Sequence, residues 1–452
     1  MLIPALLVFT IQCERFVEVD EPTNQVSQAT VFRDKVTATS ALADVYANLR
    51  NNSVLAGNMS GAAFLTGLYT DELSTATNNV SGIRSFYDLS LQTTSTDVDY
   101  LWVTSYRNIY AANNIIQGVE QSTAYLDEAT RNMLTGEALA IRAMMHLYLS
   151  GLFGEVPYIE TTDYKANQSV KKNTLPQIYS KLKADLLRAE TLLSATYPTP
   201  ERTRLNKTAV QLLLARVYLY DRDYANARHY AGLVTDNTAY AVESSPDQVF
   251  LKGAKSTLWQ FAPIEAGANT LEGQTYIIRN TPPPNGFLTE ALLQSFEPGD
   301  LRRSQWTSTI SGGGGTYPFP FKYKQYAKTP ASQEYSVILR IEEAYLIAAE
   351  GENKMGNTTQ ALQKLSVTRS RAGLSTPATA PAQAVDEMIV RERRHELFTE
   401  GSHRFFDLKR WGMLDTAMQA VKPQWKTYMQ YLPLPQRELL VNPNLNPQND
   451  GY

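Results

Sequence analysis

Apolar side chains recur every three to four residues along much of the chain, and this period predicts amphipathic helices. In 137–153 one face carries apolar residues and Gly154 ends the run. A second helix is predicted over 206–220 with Asn206 as its N-cap. A turn at 221–223 then leads into a third helix, which places Ala227 and Ala231 on its inner face. Two helices joined by a short turn are typical of an αα-hairpin.

The same arrangement recurs near the C-terminus. Helices are predicted over 334–355 and 358–372, with a break at Gly356 and Asn357. The spacing of these pairs is similar to that of tetratricopeptide repeats. It predicts a mainly α fold in which irregular helical pairs form a single large domain. Further helices are predicted over 37–50, 100–120, 176–194 and 382–400.

Between residues 238 and 330 the helical period is lost. Three consecutive prolines (282–284) and four consecutive glycines (312–315) interrupt it. Aromatic residues alternate with Pro and Lys over 317–323, which predicts an edge strand with one aromatic face. We therefore expect a loop-rich, partly extended insert at 238–330 that faces a ligand. It lies between an N-terminal helical part at 13–237 and a C-terminal helical part at 331–452.

Composition excludes several classes of protein. The 452 residues include 42 Lys and Arg against 45 Asp and Glu, a net charge of −3. This balance lacks the basic footprint of a nucleic-acid-binding protein, so no nucleic-acid partner is expected. Cys13 is the one cysteine, which excludes disulfides and Cys-based metal sites.

The apolar run at 2–11 is too short to span a bilayer and has the length of a signal-peptide core. We interpret 1–12 as a signal peptide. No basic residue precedes the run, which is the pattern expected of a truncated signal peptide. Cys13 at its end is then a candidate for lipidation. The alternative is an apolar strand followed by a buried thiol.

No enzyme motif is complete. The tetraglycine lacks the Lys of a phosphate loop, and His395-Glu396 is not followed by the second His of a zinc protease motif. Glu400 and His403 have the spacing of a di-iron ligand pair, but a complete site would need a second such pair plus two more carboxylates. We therefore predict no catalytic residue, no metal and no cofactor. The charged run at 391–410 is interpreted as a structural ion network, with Arg393 pairing with Glu396.

An ordered set of motifs resembles the SusD/RagB family of outer-membrane lipoproteins of Bacteroidota. It comprises Phe16-Val17-Glu18-Val19-Asp20-Glu21-Pro22, Tyr69-Thr70-Asp71-Glu72-Leu73, Phe153-Gly154-Glu155-Val156-Pro157, Gly299-Asp300-Leu301-Arg302, Arg340-Ile341-Glu342-Glu343-Ala344-Tyr345, Glu392-Arg393-Arg394-His395-Glu396-Leu397, Arg404-Phe405-Phe406-Asp407-Leu408-Lys409-Arg410-Trp411-Gly412 and Leu434-Pro435-Gln436-Arg437-Glu438-Leu439.

The resemblance implies a non-catalytic binding protein on the cell surface, anchored in the outer membrane through a lipid on Cys13. It further implies a SusC-like TonB-dependent transporter as partner, to which the protein delivers oligosaccharide, or peptide in the RagB-like branch. A mostly helical fold with tetratricopeptide-like units is implied as well. Trp102, Trp411 and the charged run at 391–410 are expected to belong to the scaffold.

A glycan presents hydroxyls and flat C–H faces, so its site needs aromatic rings flanked by planar polar groups. Two segments outside the scaffold motifs supply this mixture. The first carries Asn78, Arg84, Phe86 and Tyr87, and the second carries Tyr276, Arg279, Trp306 and Tyr317. The neighbouring Phe319, Phe321 and Tyr323 are interpreted as packing against helices.

Two other functions stay open at this point. The same scaffold can bind peptides, which requires a larger and more polar cleft. A glycoside hydrolase would require two carboxylates about 5 Å or 6.5–9.5 Å apart in a cleft.

Overall fold

The computed structural model describes residues 28–76 and 82–452, most of which lie in α-helices. In chain order the helices are α1 (Gln28–Val31), α2 (Lys35–Asn51), α3 (Ala62–Tyr69), α4 (Gly82–Tyr87), α5 (Thr96–Glu120), α6 (Glu128–Phe153), α7 (Tyr164–Asn167), α8 (Leu175–Leu192), α9 (Lys207–Tyr220), α10 (Tyr224–Thr235), α11 (Leu271–Tyr276), α12 (Glu290–Ser295), α13 (Leu301–Gln305), α14 (Ile341–Lys354), α15 (Thr358–Arg371), α16 (Ala382–Leu397), α17 (His403–Arg410), α18 (Leu414–Val421) and α19 (Gln436–Val441).

The long helices pack one against the next. α5 lies along α6, α6 contacts α8, α8 contacts α9, and α9 contacts α10. α10 continues the array onto α14, which packs against both α15 and α16. The prediction of a mainly α fold built from helical pairs is confirmed, and the pairs α9–α10 and α14–α15 are two of those expected.

Local sequence fixes where these helices begin and end. The Asn206 side chain accepts a hydrogen bond from the backbone N–H of Ala209 at 2.9 Å, which makes it the N-cap of α9. Asp223 caps α10 in the same way through the N–H of Asn226. Gly154 ends α6 with a φ of +80°, a conformation that glycine adopts without steric cost.

The predicted helix over 334–355 is wrong over its first seven residues. Residues Ser336–Arg340 form strand β6, which pairs antiparallel with β2 (Thr257–Phe261), and the helix begins only at Ile341. The segment contains Val337 and Ile338, which favour extended structure. Its partner strand lies about 80 residues earlier in the chain, so a local apolar period cannot reveal the pairing.

Two further small sheets lie in or beside the insert. β1 (Leu73–Thr75) pairs with β3 (Gly286–Leu288), and β4 (Thr307–Gly312) forms a hairpin with β5 (Gly315–Pro320). The turn residues Gly313 and Gly314 have φ values of +58° and +81°, as a two-residue hairpin turn requires. The edge strand expected over 317–323 therefore corresponds to β5 and ends at Pro320.

A buried ion network joins the insert to the C-terminal helices. Arg302 is fully buried and pairs with Asp300 at 2.9 Å, Glu392 at 2.7 Å and Glu396 at 3.0 Å. The predicted pair of Arg393 with Glu396 is wrong, because the Nε of Arg393 donates to Asp407 at 2.7 Å while Glu396 binds three other arginines.

Within residues 28–76 and 82–452, no helix combines the length and the apolar character needed to cross a bilayer.

Candidate functional site

Three short strands bring distant parts of the chain together at the surface. In the β1–β3 pair, Leu73 and Leu288 point into the core and are fully buried. Their neighbours Ser74 and Phe287 lie opposite each other on the outer face and are half-buried. The Tyr317 ring on β5 packs edge-on against Phe287, with ring centroids 5.3 Å apart and planes at 78°.

Helix α4 extends this surface from the other side of β1. The Ser74 hydroxyl donates to the Tyr87 hydroxyl at 3.4 Å. The Arg84 guanidinium lies 5.5 Å from the centre of the Tyr87 ring and donates through Nε to Asp88 at 2.6 Å. Tyr317, Phe287, Ser74, Tyr87 and Arg84 thus form one run of half-buried side chains, which we call the aromatic track.

The hairpin tip is supported by the loop that carries Arg279. At Gly313 a Cβ atom would lie 3.0 Å from the Pro282 ring, so the turn rests directly on this loop. Arg279 itself is exposed and lies over the Tyr326 ring, 4.7 Å from its centre. The Arg279–Tyr326 pair is a second combination of a planar cation and an aromatic ring, and both of its residues are exposed.

Two predicted contact residues belong to the core. Trp306 is fully buried, its indole N–H donates to the backbone oxygen of Pro246 at 2.7 Å, and Lys322 lies 4.6 Å from its ring centre. Phe86 is fully buried against Tyr69, with ring centroids 5.8 Å apart. Neither ring has a face left for a ligand. The expectation that they contact one is therefore corrected, because each side chain points inward from its short helix or helix end.

Tyr276, also predicted to contact a ligand, is buried in the core as well, with only 5% of the residue exposed. Its ring packs 5.9 Å from Phe64 and borders an internal cavity of about 60 Å³. That volume has room for a few water molecules, whereas ligand pockets span several hundred Å³. The cavity is thus too small for a sugar ring.

The Tyr69–Leu73 motif anchors β1 rather than facing solvent. Asp71 accepts hydrogen bonds from Arg404 at 2.9 Å and from Arg394 at 2.8 Å. These two cations outweigh the effect of burial and lower the Asp71 pKa to about 2. Glu72 accepts from the Thr399 N–H at 3.2 Å, and burial together with the Asp71 charge raises the Glu72 pKa to about 7.

The remaining predicted residues divide into two groups. Arg84, Tyr87 and Tyr317 are brought together on the aromatic track, while Asn78 and Cys13 lie outside the described residues. Sequence reasoning missed Ser74, Phe287 and Tyr326. The three-residue strands around Ser74 and Phe287 are too short to give a periodic signal, although Phe287 stands among the prolines and glycines that mark the insert.

The residues with metal-ligand spacing serve the buried ion network. Glu400 accepts from Arg340 at 2.8 Å and from Lys322, and these two cations lower its pKa against the opposing effect of desolvation. Burial and the charge of Arg216 hold the His403 pKa well below its ordinary value. Across the two described ranges, no three His, Cys, Asp or Glu side chains are grouped so that they can hold a metal ion.

Two protein-family models match separate parts of this chain. Residues 15–219 match the SusD-like family model described as "Starch-binding associating with outer membrane", and residues 304–452 match the SusD family model. The chain belongs to the SusD/RagB family. A SusD-like protein P25 from Formosa agariphila is 24% identical, and the alignment covers 100% of this chain and 99% of that relative.

Solved SusD structures share the fold. A SusD homologue from Bacteroides thetaiotaomicron superposes with a TM-score of 0.81 at 18% identity, over 95% of this chain and 99% of the other. A laminarin-binding SusD-like protein superposes with a TM-score of 0.77 at 20% identity, over 93% of this chain and 100% of the other. At this level of identity, the comparison establishes the helical SusD architecture.

Proposed function

We propose that this SusD-family protein binds oligosaccharide on the aromatic track and does not itself catalyse a reaction. The observation that carries the proposal is the alignment of three half-buried rings, Tyr317, Phe287 and Tyr87, along one surface built from β5, β3 and α4. Amphipathic aromatic rings offer flat apolar area at a small entropic cost. The pyranose faces of a glycan provide the matching C–H surfaces.

Polar groups beside the rings suit the hydroxyls of a sugar. Ser74, the Tyr87 hydroxyl and the Arg84 guanidinium supply donors and acceptors within the track itself. An open surface is better suited to an extended oligosaccharide than to a monosaccharide, which needs an enclosing pocket. The starch-binding description of the family and the laminarin-binding relative support the same class of ligand.

We further propose that the protein delivers the bound glycan to a SusC-like TonB-dependent transporter in the outer membrane. In this arrangement a lipid on Cys13 holds the protein at the cell surface. Stable anchoring takes about two acyl chains, which one diacylated residue supplies. Co-purification from native outer membranes tests the partner. The transporter should be recovered with this protein, and its consistent absence would contradict delivery.

A binding screen tests the ligand class. The purified protein is expected to retain at least one oligosaccharide, such as maltoheptaose or laminarihexaose, and to release no product from it. Binding of peptides with no response to any carbohydrate would replace this proposal with the RagB-like one. Release of shortened glycans by the pure protein would instead establish a hydrolase.

A further inference from the structure

The Lys422 side chain runs from the end of α18 to the C-terminal ends of two other helices. Only 7% of the residue is exposed. Its ammonium donates to the backbone oxygens of Leu68 and Tyr69 at the end of α3. It also donates, at 2.8 Å, to the backbone oxygen of Tyr87, the last residue of α4. An ammonium group has three donor hydrogens, and three carbonyl groups receive them.

In this arrangement one ammonium group donates hydrogen bonds to the last carbonyl groups of two helices. The last carbonyl groups of a helix have no partner within the helix and carry the negative end of its dipole, so a cation there is favourable. α3 leads into β1, and α4 carries Arg84 and Tyr87. Lys422 therefore bonds to the two elements that position Ser74, Arg84 and Tyr87 in the aromatic track. The same ammonium lies 4.6 Å from the centre of the Tyr87 ring.

The backbone of Lys422 is itself held in place. Its N–H donates to the Met418 oxygen at 2.7 Å, and its own oxygen accepts from Trp425 at 2.9 Å. The Trp425 ring packs edge-on against Tyr69, with centroids 5.6 Å apart. Burial lowers the Lys422 pKa to about 7, while the nearby Asp88 and Asp71 act in the opposite direction.

We infer that Lys422 is a positioning residue for the aromatic track, which touches no ligand and fixes the placement of β1 and α4. The inference has two parts. The restraint on α4 follows from the contacts alone, and the effect on ligand affinity rests on the proposed function.

The test compares Lys422→Met with Lys409→Met in the full-length protein. Lys409 is a matched control because its pKa is also lowered to about 7 by burial and it also donates to two backbone oxygens, those of Gly151 and Gln430. Its hydrogen bonds and its contacts with the rings of Phe405, Phe406 and Tyr431 involve no residue of α4. Hydrogen exchange measured by mass spectrometry over 82–90 should become at least about tenfold faster in Lys422→Met and should be unchanged in Lys409→Met.

Titration with maltoheptaose and laminarihexaose supplies the second measurement. Where the wild-type protein binds one of them, Lys422→Met should weaken that affinity about tenfold and Lys409→Met should not. Unchanged exchange over 82–90, or faster exchange with unchanged affinity, would overturn the inference. Failure of the wild-type protein to bind any carbohydrate would contradict the proposed function, and the exchange comparison would still decide the role of Lys422. Should Lys422→Met not fold, Lys422→Gln removes the charge and one donor hydrogen, and it should give the same direction of change in exchange with a smaller magnitude.

Discussion

A substitution at Gly315 would displace the Tyr317 ring while leaving Tyr317 itself in the sequence. Gly315 opens β5, and a Cβ atom at this position would lie 2.7 Å from the Tyr317 hydroxyl and 2.8 Å from Cζ of that ring. Carbon atoms in contact are separated by about 3.5–4.0 Å, so the Gly315→Ala variant requires the ring to shift by about 1 Å. Gly315 is not among the glycines with positive φ, so alanine fits the backbone conformation.

The shift should weaken ligand binding while leaving stability nearly unchanged. Edge-on packing of Tyr317 on Phe287 stabilises the position of the ring by about 0.5–1.5 kcal/mol. Displacing the ring weakens that interaction. Replacing Gly by Ala restricts the unfolded chain and stabilises the protein by about 0.4–1 kcal/mol, which offsets part of the loss. We therefore expect the dissociation constant to rise about threefold to tenfold and the unfolding free energy to change by less than about 1 kcal/mol.

Isothermal titration with the preferred oligosaccharide, together with thermal unfolding, measures both quantities. Gly232→Ala is the matched control, because nothing lies within 4 Å of a Cβ there and the residue sits within α10. It should leave affinity unchanged and raise stability slightly. In a Tyr317→Ala background, Gly315→Ala should have no further effect on affinity. Wild-type affinity in the single variant, or additive losses in the double variant, would refute the reasoning.

Three further predictions address the scaffold and the anchor. Arg302→Met leaves three buried carboxylates without their central cation and should lower the unfolding free energy by about 3–5 kcal/mol in urea denaturation. The control is Arg303→Met, which replaces an exposed neighbour and should change the unfolding free energy by less than about 1 kcal/mol. The folded-state pKa of Asp71, about 2, lies below its ordinary value of 3.8, so its contribution of about 2 kcal/mol is present above pH 4 and is lost as the pH falls towards 2. Stability curves should accordingly show a steeper acid decline in the wild type than in Asp71→Asn, and parallel curves would exclude the ion pair as the cause. Mass spectrometry of protein extracted from membranes should find an acylated Cys13 at the N-terminus, and an intact Met1 would contradict lipidation.

The helices were predictable because their signals are local. Asn206 caps α9, and Gly154 ends α6, as the sequence indicated. Strand β6 was not predictable, because Ile338 continues the helical period of Ile341 and Tyr345 while Val337 and Leu339 alternate as in a strand. Only the pairing with the distant β2 decides between the two.

The candidate site was predictable in type and only partly in membership. An aromatic residue in an irregular segment can face solvent or the core, and the sequence does not distinguish the two. Tyr317 faces outward from β5, whereas Trp306 turns inward over Lys322 because its indole N–H finds the Pro246 carbonyl there. Ser74 and Phe287 join the track through a strand pairing that spans more than 200 residues.

The most direct test of the account is the oligosaccharide affinity of the Tyr317→Ala/Tyr87→Ala double variant. Tyr164→Ala is its control, because Tyr164 is a 64% exposed aromatic residue on α7 and is not one of the track residues. Removing aromatic anchors from the centre of a binding surface costs at least about 2 kcal/mol, so affinity should fall about thirtyfold or more in the double variant and stay unchanged in the control. A folded double variant that binds the glycan as tightly as the wild type would contradict the assignment of the aromatic track as the binding site.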